Sequence, residues 1–130
     1  MSNGNELRNY SRGYTSENAK YRAGKKAEIA TFKAMKASSE FEDVYGWSTI
    51  LNKEGGDDTL HYDITYRKKG SSKTDKRYLE VKAMNGNSII MSWMEYQFAN
   101  ENCEQYDLAI FHDGKVSIIE RPFSKKPKKV

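Results

Sequence analysis

Glu80 and Lys82 stand one residue apart in the run Tyr78-Leu79-Glu80-Val81-Lys82-Ala83. On an extended strand the side-chain period is two, so both charges share one face while Leu79, Val81 and Ala83 take the other, which reads as the core side. Asp63 lies seventeen residues before Glu80, in a second alternating run, Leu60-His61-Tyr62-Asp63-Ile64-Thr65-Tyr66, and Glu28 sits in a helix-forming segment. Hydrolysis of a phosphodiester needs a neutralised phosphate, an activated water and a stabilised leaving oxygen. Mg²⁺ supplies much of this from one or two carboxylates, waters and phosphate oxygens. Asp63 and Glu80, on adjacent antiparallel strands, would bring two carboxylates to one ion. Lys82 would orient or help deprotonate the attacking water and offset developing charge. Glu28 would enter from the helix as a further ligand, directly or through water. Taken singly, each residue has a plainer explanation: a strand Glu-X-Lys is usually a solvated pair worth under ~1 kcal/mol. The ordered set carries the reading.

The elements that must position these residues follow from local pattern. Helix formers with apolar residues at helical spacing predict a helix over 17–36. Val44, Tyr45, Trp47, Thr49 and Ile50 give 41–51 a strand composition interrupted by Gly46, hence a strand with a bulge. Asn52 to Asp58 reads as a turn, not a phosphate-binding loop, because no Lys-Ser/Thr and helix follow it. Strands are expected over 60–68 and 77–84, joined by a hairpin loop at 69–75. Ser92, with Glu95 three residues on, is an N-cap signature before a helix over 93–101. Strands at 106–111 and 116–120 flank Asp113-Gly114, a strong hairpin signal. The order α-β-β-β-α-β-β specifies an α/β domain with one mixed five-stranded sheet flanked by helices.

The chain has 130 residues, which bounds it to one domain with one core. A mean hydropathy of −0.90 places an excess of polar residues somewhere, and the ends supply it. Residues 1–20 read as a flexible basic and polar leader, 21–121 as the folded domain, and 122–130 as a basic tail. The net charge of +4 suits a polyanionic partner. Cys103 is the single cysteine, so no internal disulfide forms, and with only His61 and His112 beside it there is no structural zinc set. No membrane span or signal-peptide core is present in the sequence, and a soluble cytoplasmic protein is expected. Cys103 reads as a packed or surface thiol, and Trp93 and Tyr96, three apart on the second helix, read as core. Tyr10, Tyr14 and Tyr21 interleave with Arg8, Arg12, Lys20 and Arg22, a pattern that suits nucleic-acid contact or a helix-packing leader.

The set resembles the PD-(D/E)xK nuclease superfamily, the restriction-endonuclease-like fold. More narrowly it is similar to the domain named after the C-terminal region of the plant NO VEIN protein. The matching pieces are Gly24-Lys25-Lys26-Ala27-Glu28, Tyr62-Asp63-Ile64 and Tyr78-Leu79-Glu80-Val81-Lys82, with shorter matches at Ser92-Trp93-Met94-Glu95 and Tyr106-Asp107-Leu108. The resemblance implies that Asp63 and Glu80 bind Mg²⁺ or Mn²⁺, that Lys82 is the catalytic lysine, and that Glu28 is the helix carboxylate. It gives Glu95 no derivable role. It also implies a nucleic-acid partner, DNA first, met by a homodimer or with a larger protein partner. Lys25, Lys26 and His61 are the candidate nucleic-acid contacts. His61 replaces the small residue usual two positions before the Asp. Alternation would set it on the face of Asp63, where it would line the site or contact phosphate; a plain strand-surface histidine is the other reading. The alternative function is a non-cleaving module of the same fold that binds nucleic acid or protein within a larger assembly.

Overall fold

The computed structural model describes residues 17–126. Two helices and five strands follow one another as α1 (Glu17–Ala37), β1 (Phe41–Gly46), β2 (Ile64–Lys68), β3 (Arg77–Ala83), α2 (Trp93–Glu101), β4 (Tyr106–His112) and β5 (Lys115–Glu120). This is the α-β-β-β-α-β-β order expected from the sequence. The strands form one open sheet in the order β1-β2-β3-β4-β5. Only β3 and β4 run parallel, because α2 carries the chain back across the sheet between them; the other neighbours are antiparallel.

The sheet has a helix-bearing core on each side. Ala27, Thr31 and Met35, spaced by four along α1, are fully buried against it. With Ile64, Tyr66, Leu79, Val81 and Ala109 they close the first core. The second gathers Ala99 of α2 with Tyr106 and Leu108, and Tyr78, Phe98 and Ile110 pack against it. Thus Leu79 and Val81 face α1, while Tyr78 and its same-face neighbours Glu80 and Lys82 look toward α2. The β4–β5 hairpin turns through Asp113 and Gly114, both at positive φ (52° and 74°), the geometry of the two-residue turn that Asp-Gly favours.

Two expected strands are shorter than their composition suggests. β1 stops at Gly46 instead of reaching Leu51, and its bulge lies between Glu42 and Tyr45, with Asp43 at φ 53°. At Gly46 the chain folds back on itself so tightly that a Cβ there would stand 2.6 Å from Leu51 Cβ, so residues 47–51 turn instead of extending. β2 begins at Ile64, four residues later than the alternation of 60–66 suggests. Residues 60–63 are held as a bend: Asp63 N donates to Leu79 O (2.9 Å), and Asp63 O accepts from Trp47 N (2.8 Å).

The far end of the sheet is tied by Asp107, which is completely buried. Its carboxylate accepts from Tyr66 Oη (2.6 Å), from Arg77 Nε and Nη2 (2.7 and 2.8 Å) and from Arg121 N (3.0 Å). One charge pair with every lone pair engaged therefore joins β2, β3, β4 and the exit of β5. The first residues of the C-terminal segment are anchored here too: Ser124 Oγ donates to Glu104 at 2.6 Å, and Phe123 packs against Tyr96 and Tyr106. Residues 127–130 of the basic tail and 1–16 of the leader, with Arg8, Tyr10, Arg12 and Tyr14, lie outside the described residues.

Candidate active site

Asp63 is fixed by backbone. Its main chain bridges Trp47 and Leu79, and its Oδ2 accepts from the amide of Val81 at 2.9 Å. Val81 is the residue between Glu80 and Lys82, so the Asp63 carboxylate is pinned to the strand segment that carries the other two groups. Glu80 is buried, with 5% of its surface exposed, and its Oε2 lies 3.2 Å from Lys82 Nζ. Lys82 Nζ also donates to Glu95 Oε1 at 2.8 Å. That same oxygen accepts from Ser92 N (2.9 Å), while Ser92 Oγ accepts from Glu95 N (3.1 Å), closing a capping box at the start of α2. Glu28 reaches in from α1, and its Oε1 accepts from Ser48 Oγ at 2.5 Å.

These groups line one open cleft of about 380 Å³, together with Lys20 and Gly24 of α1 and with Asn85 and Ile90 beyond β3. Four carboxylates (Glu28, Asp63, Glu80 and Glu95) meet two amines (Lys20 and Lys82). The excess shows in the proton equilibria. Burial, then the charge of Glu28, pushes the Asp63 carboxyl up to about 7, against the pull of the Val81 amide and Lys82. Burial and the charge of Asp63 hold Glu80 well above the ordinary carboxylate range, with Lys82 opposing them. Burial also raises Glu28, against the Ser48 hydrogen bond. Burial works against the charge of Lys82, but Glu80 and Glu95 outweigh it and raise its amine. Glu95 goes the other way: burial disfavours its charge, yet the hydrogen bonds from Lys82 and Ser92 lower it. Two carboxyls that repel each other across a partly dry cleft do not both ionise without added positive charge.

The donor set is all oxygen, which suits a hard divalent cation. Among the described residues no three carboxylate, imidazole or thiol groups converge as a complete metal cage. Asp63 and Glu80 are instead a carboxylate pair of the kind that holds Mg²⁺ while water and a phosphate complete its shell. The residues therefore fit such an ion.

Glu28, Asp63, Glu80 and Lys82, named from the sequence, come together in this cleft. Lys25, Lys26 and His61 do not line it. The two lysines lie on the outer face of α1, where they line a separate groove. His61 packs toward Phe98, with ring centroids 5.9 Å apart. Its expected place beside Asp63 assumed strand alternation, and residues 60–63 are a bend, so alternation does not apply. Trp93 and Tyr96 depart further from expectation: they are 67% and 41% exposed and so do not belong to the core. Counting back along α2 explains this, because Glu95 and Ala99 face inward and a residue two before Glu95 points to the opposite side.

Two charged cleft residues, Glu95 and Lys20, and the hydroxyl of Ser48 that holds Glu28 have no catalytic role assigned from sequence. Glu95 carried a visible signal, the Ser-X-X-Glu box, but nothing in that box says that its carboxylate also grips a lysine. Lys20 falls at the end of the segment that reads as leader. Ser48 had no signal, since it lies in a stretch read as strand.

A family model described as protein NO VEIN, C-terminal matches residues 27–120. The chain belongs to that family. The matched span contains Glu28, Asp63, Glu80, Lys82 and Glu95, while Lys20 and Gly24 precede it. No curated protein and no solved structure matches the chain. Among the described residues, no helix is long and apolar enough to cross a membrane.

Proposed function

We propose that this NO VEIN C-terminal domain is a metal-dependent nuclease of the PD-(D/E)xK type that hydrolyses phosphodiester bonds of nucleic acid, DNA first, in a defence, repair or recombination setting. The observation that supports it best is the meeting of Asp63, Glu80 and Lys82 in one open cleft where carboxylates outnumber amines. Asp63 and Glu80 would hold Mg²⁺ or Mn²⁺, which when bound supplies charge neutralisation at the phosphate and a more acidic water. Lys82 is held by Glu80 and Glu95 and keeps one more N–H direction for a water or a phosphate oxygen. In that place it orients the nucleophile and offsets charge on the phosphoryl oxygens. Glu28, oriented by Ser48, is set to accept a proton or a hydrogen bond from water.

The second reading, a non-cleaving module, draws on a different observation. Ile90 in the cleft wall and Trp93 and Met94 on the first turn of α2 are 59%, 67% and 54% exposed, apolar surface that suits a partner. The two readings part in one experiment. Labelled plasmid, linear duplex, single strand, four-way junction and RNA are incubated with Mg²⁺, Mn²⁺ or EDTA, alongside Lys82→Ala. Metal-dependent cutting by the wild type that is lost in Lys82→Ala is expected. Binding without cutting of any substrate would overturn the nuclease reading in favour of the module.

A further inference from the structure

The outer face of α1 carries Arg22, Lys25, Lys26 and Lys33, all exposed, around a groove floored by Ile29 and Ala30 with a volume of about 580 Å³. From Arg22 to Lys33 the stripe runs about 17 Å along the helix. None of the four cations forms an ion pair among the described residues. Arg22 and Lys26 are four apart, a spacing at which like charges weaken a helix. Glu28, an acid of the same helix, lines the cleft instead. Among the described residues this concentrated positive face thus has no anion paired to it.

Gly24 supplies the second observation. It lies within α1, where glycine is the poorest residue after proline. A Cβ there would meet no heavy atom within 4 Å, so packing does not require glycine, and its φ is not positive. It lines the cleft, and Lys25 beside it lines the groove. The absent side chain leaves a notch in the wall between them.

We propose that a nucleic-acid strand leaves the cleft over Gly24 and lays its phosphates along Arg22, Lys25, Lys26 and Lys33. The nuclease reading supplies the other end of that path. An acidic protein or an anionic membrane would also meet the charge, but the notch joins this face to a phosphodiester cleft, and only a strand has reason to cross it.

The test is fluorescence anisotropy of a labelled oligonucleotide in EDTA across a salt series, with wild type, Lys25→Ala/Lys26→Ala/Lys33→Ala and Gly24→Leu. Removing three phosphate contacts should weaken binding about 100-fold at 0.1 M salt and make the log–log salt slope shallower by about 2. Gly24→Leu should melt at a higher temperature, because leucine is the better helix former, and yet bind more weakly. Binding by both variants within twofold of the wild type overturns the proposal. So does capture of phosphatidylserine vesicles by a wild type that ignores the oligonucleotide. Metal-dependent hydrolysis of bis(p-nitrophenyl) phosphate, a substrate too small to reach α1's outer face, separates the two claims. The triple variant should keep that activity. A wild type inert toward it, whose oligonucleotide binding still falls in both variants, would overturn the nuclease reading and support the track.

Discussion

Replacing Asp63 with Asn should make the metal-free protein more stable at pH 8 while removing its response to Mg²⁺. Asp63 is an acid whose folded pKa is raised, from the ordinary 3.8 to about 7. Its contribution to stability is present in full below the unfolded value and is lost as pH rises through the folded one, so between about pH 4 and pH 7 the wild type weakens. The full rise corresponds to about 4 kcal/mol. The residue keeps some solvent contact and feels the charges of Glu28, Lys82 and Glu95, so about half of that is a fair scale after screening. Asn keeps an oxygen for the Val81 amide as the neutral carboxyl does, and the extra strength of that bond to the ionised form is already contained in the raised value. The net gain is about 2 kcal/mol at pH 8, or about 8 °C in melting temperature for a domain of this size. At pH 3 the carboxyl is protonated in the folded and the unfolded chain alike, and the variant should match the wild type within about 0.5 kcal/mol. Calorimetry in EDTA at both pH values reads this directly, and repeating it with Mg²⁺ should raise the wild type's melting temperature and not the variant's. A variant less stable than the wild type at pH 8 in EDTA would refute the electrostatic argument. An equal Mg²⁺ shift in both proteins would refute the place of Asp63 as a metal ligand.

Three more outcomes follow from named contacts. Lys82→Met strips Glu80 and Glu95 of their shared cation, so the protein should lose about 3 kcal/mol at pH 8 and recover much of it by pH 5 as Glu80 protonates, as chemical denaturation at the two pH values will record. Asp107→Ala leaves Arg77 and Tyr66 without their buried acceptor and should cost about 3–5 kcal/mol in urea melts; a loss under 1 kcal/mol would mean the network is ornamental. Trp93→Ala removes a largely exposed ring and should shift stability by no more than about 0.5 kcal/mol, where a core tryptophan would cost about 3–5 kcal/mol.

Much of this architecture is written in local pattern. The hairpin at Asp113-Gly114, the capping box at Ser92 and the helical spacing of Ala27, Thr31 and Met35 are short-range signals, and the elements they mark formed where expected. The failures are long-range. Phe41 to Leu51 has the residues of one strand, and only the packing of Leu51 against Gly46 turns the chain. Leu60 to Tyr66 alternates like a strand, but the bonds from Trp47 and Leu79 to the Asp63 backbone come from distant segments and make a bend. That bend brings Asp63 to the strand of Glu80 by another route than the one expected, through the Val81 amide instead of across a regular ladder. His61 shows the cost of the same assumption, because its predicted side depended on alternation alone. Lys20 as a cleft residue and Ser48 as the partner of Glu28 carry no signal, since no periodicity marks a lysine one turn before the site or a hydroxyl in a turn.

Glu95 Oε1 holds the amide of Ser92 and the amine of Lys82 at once. The first turn of α2 and the charge state of the cleft are therefore two readings of a single bond arrangement, and neither can loosen alone. Fraying of that turn releases Lys82 from one of its two acids, and any ligand that draws Lys82 away from Glu95 relaxes the turn. The exchange rate of one surface amide, that of Ser92, becomes a gauge of what occupies a cleft it does not itself line.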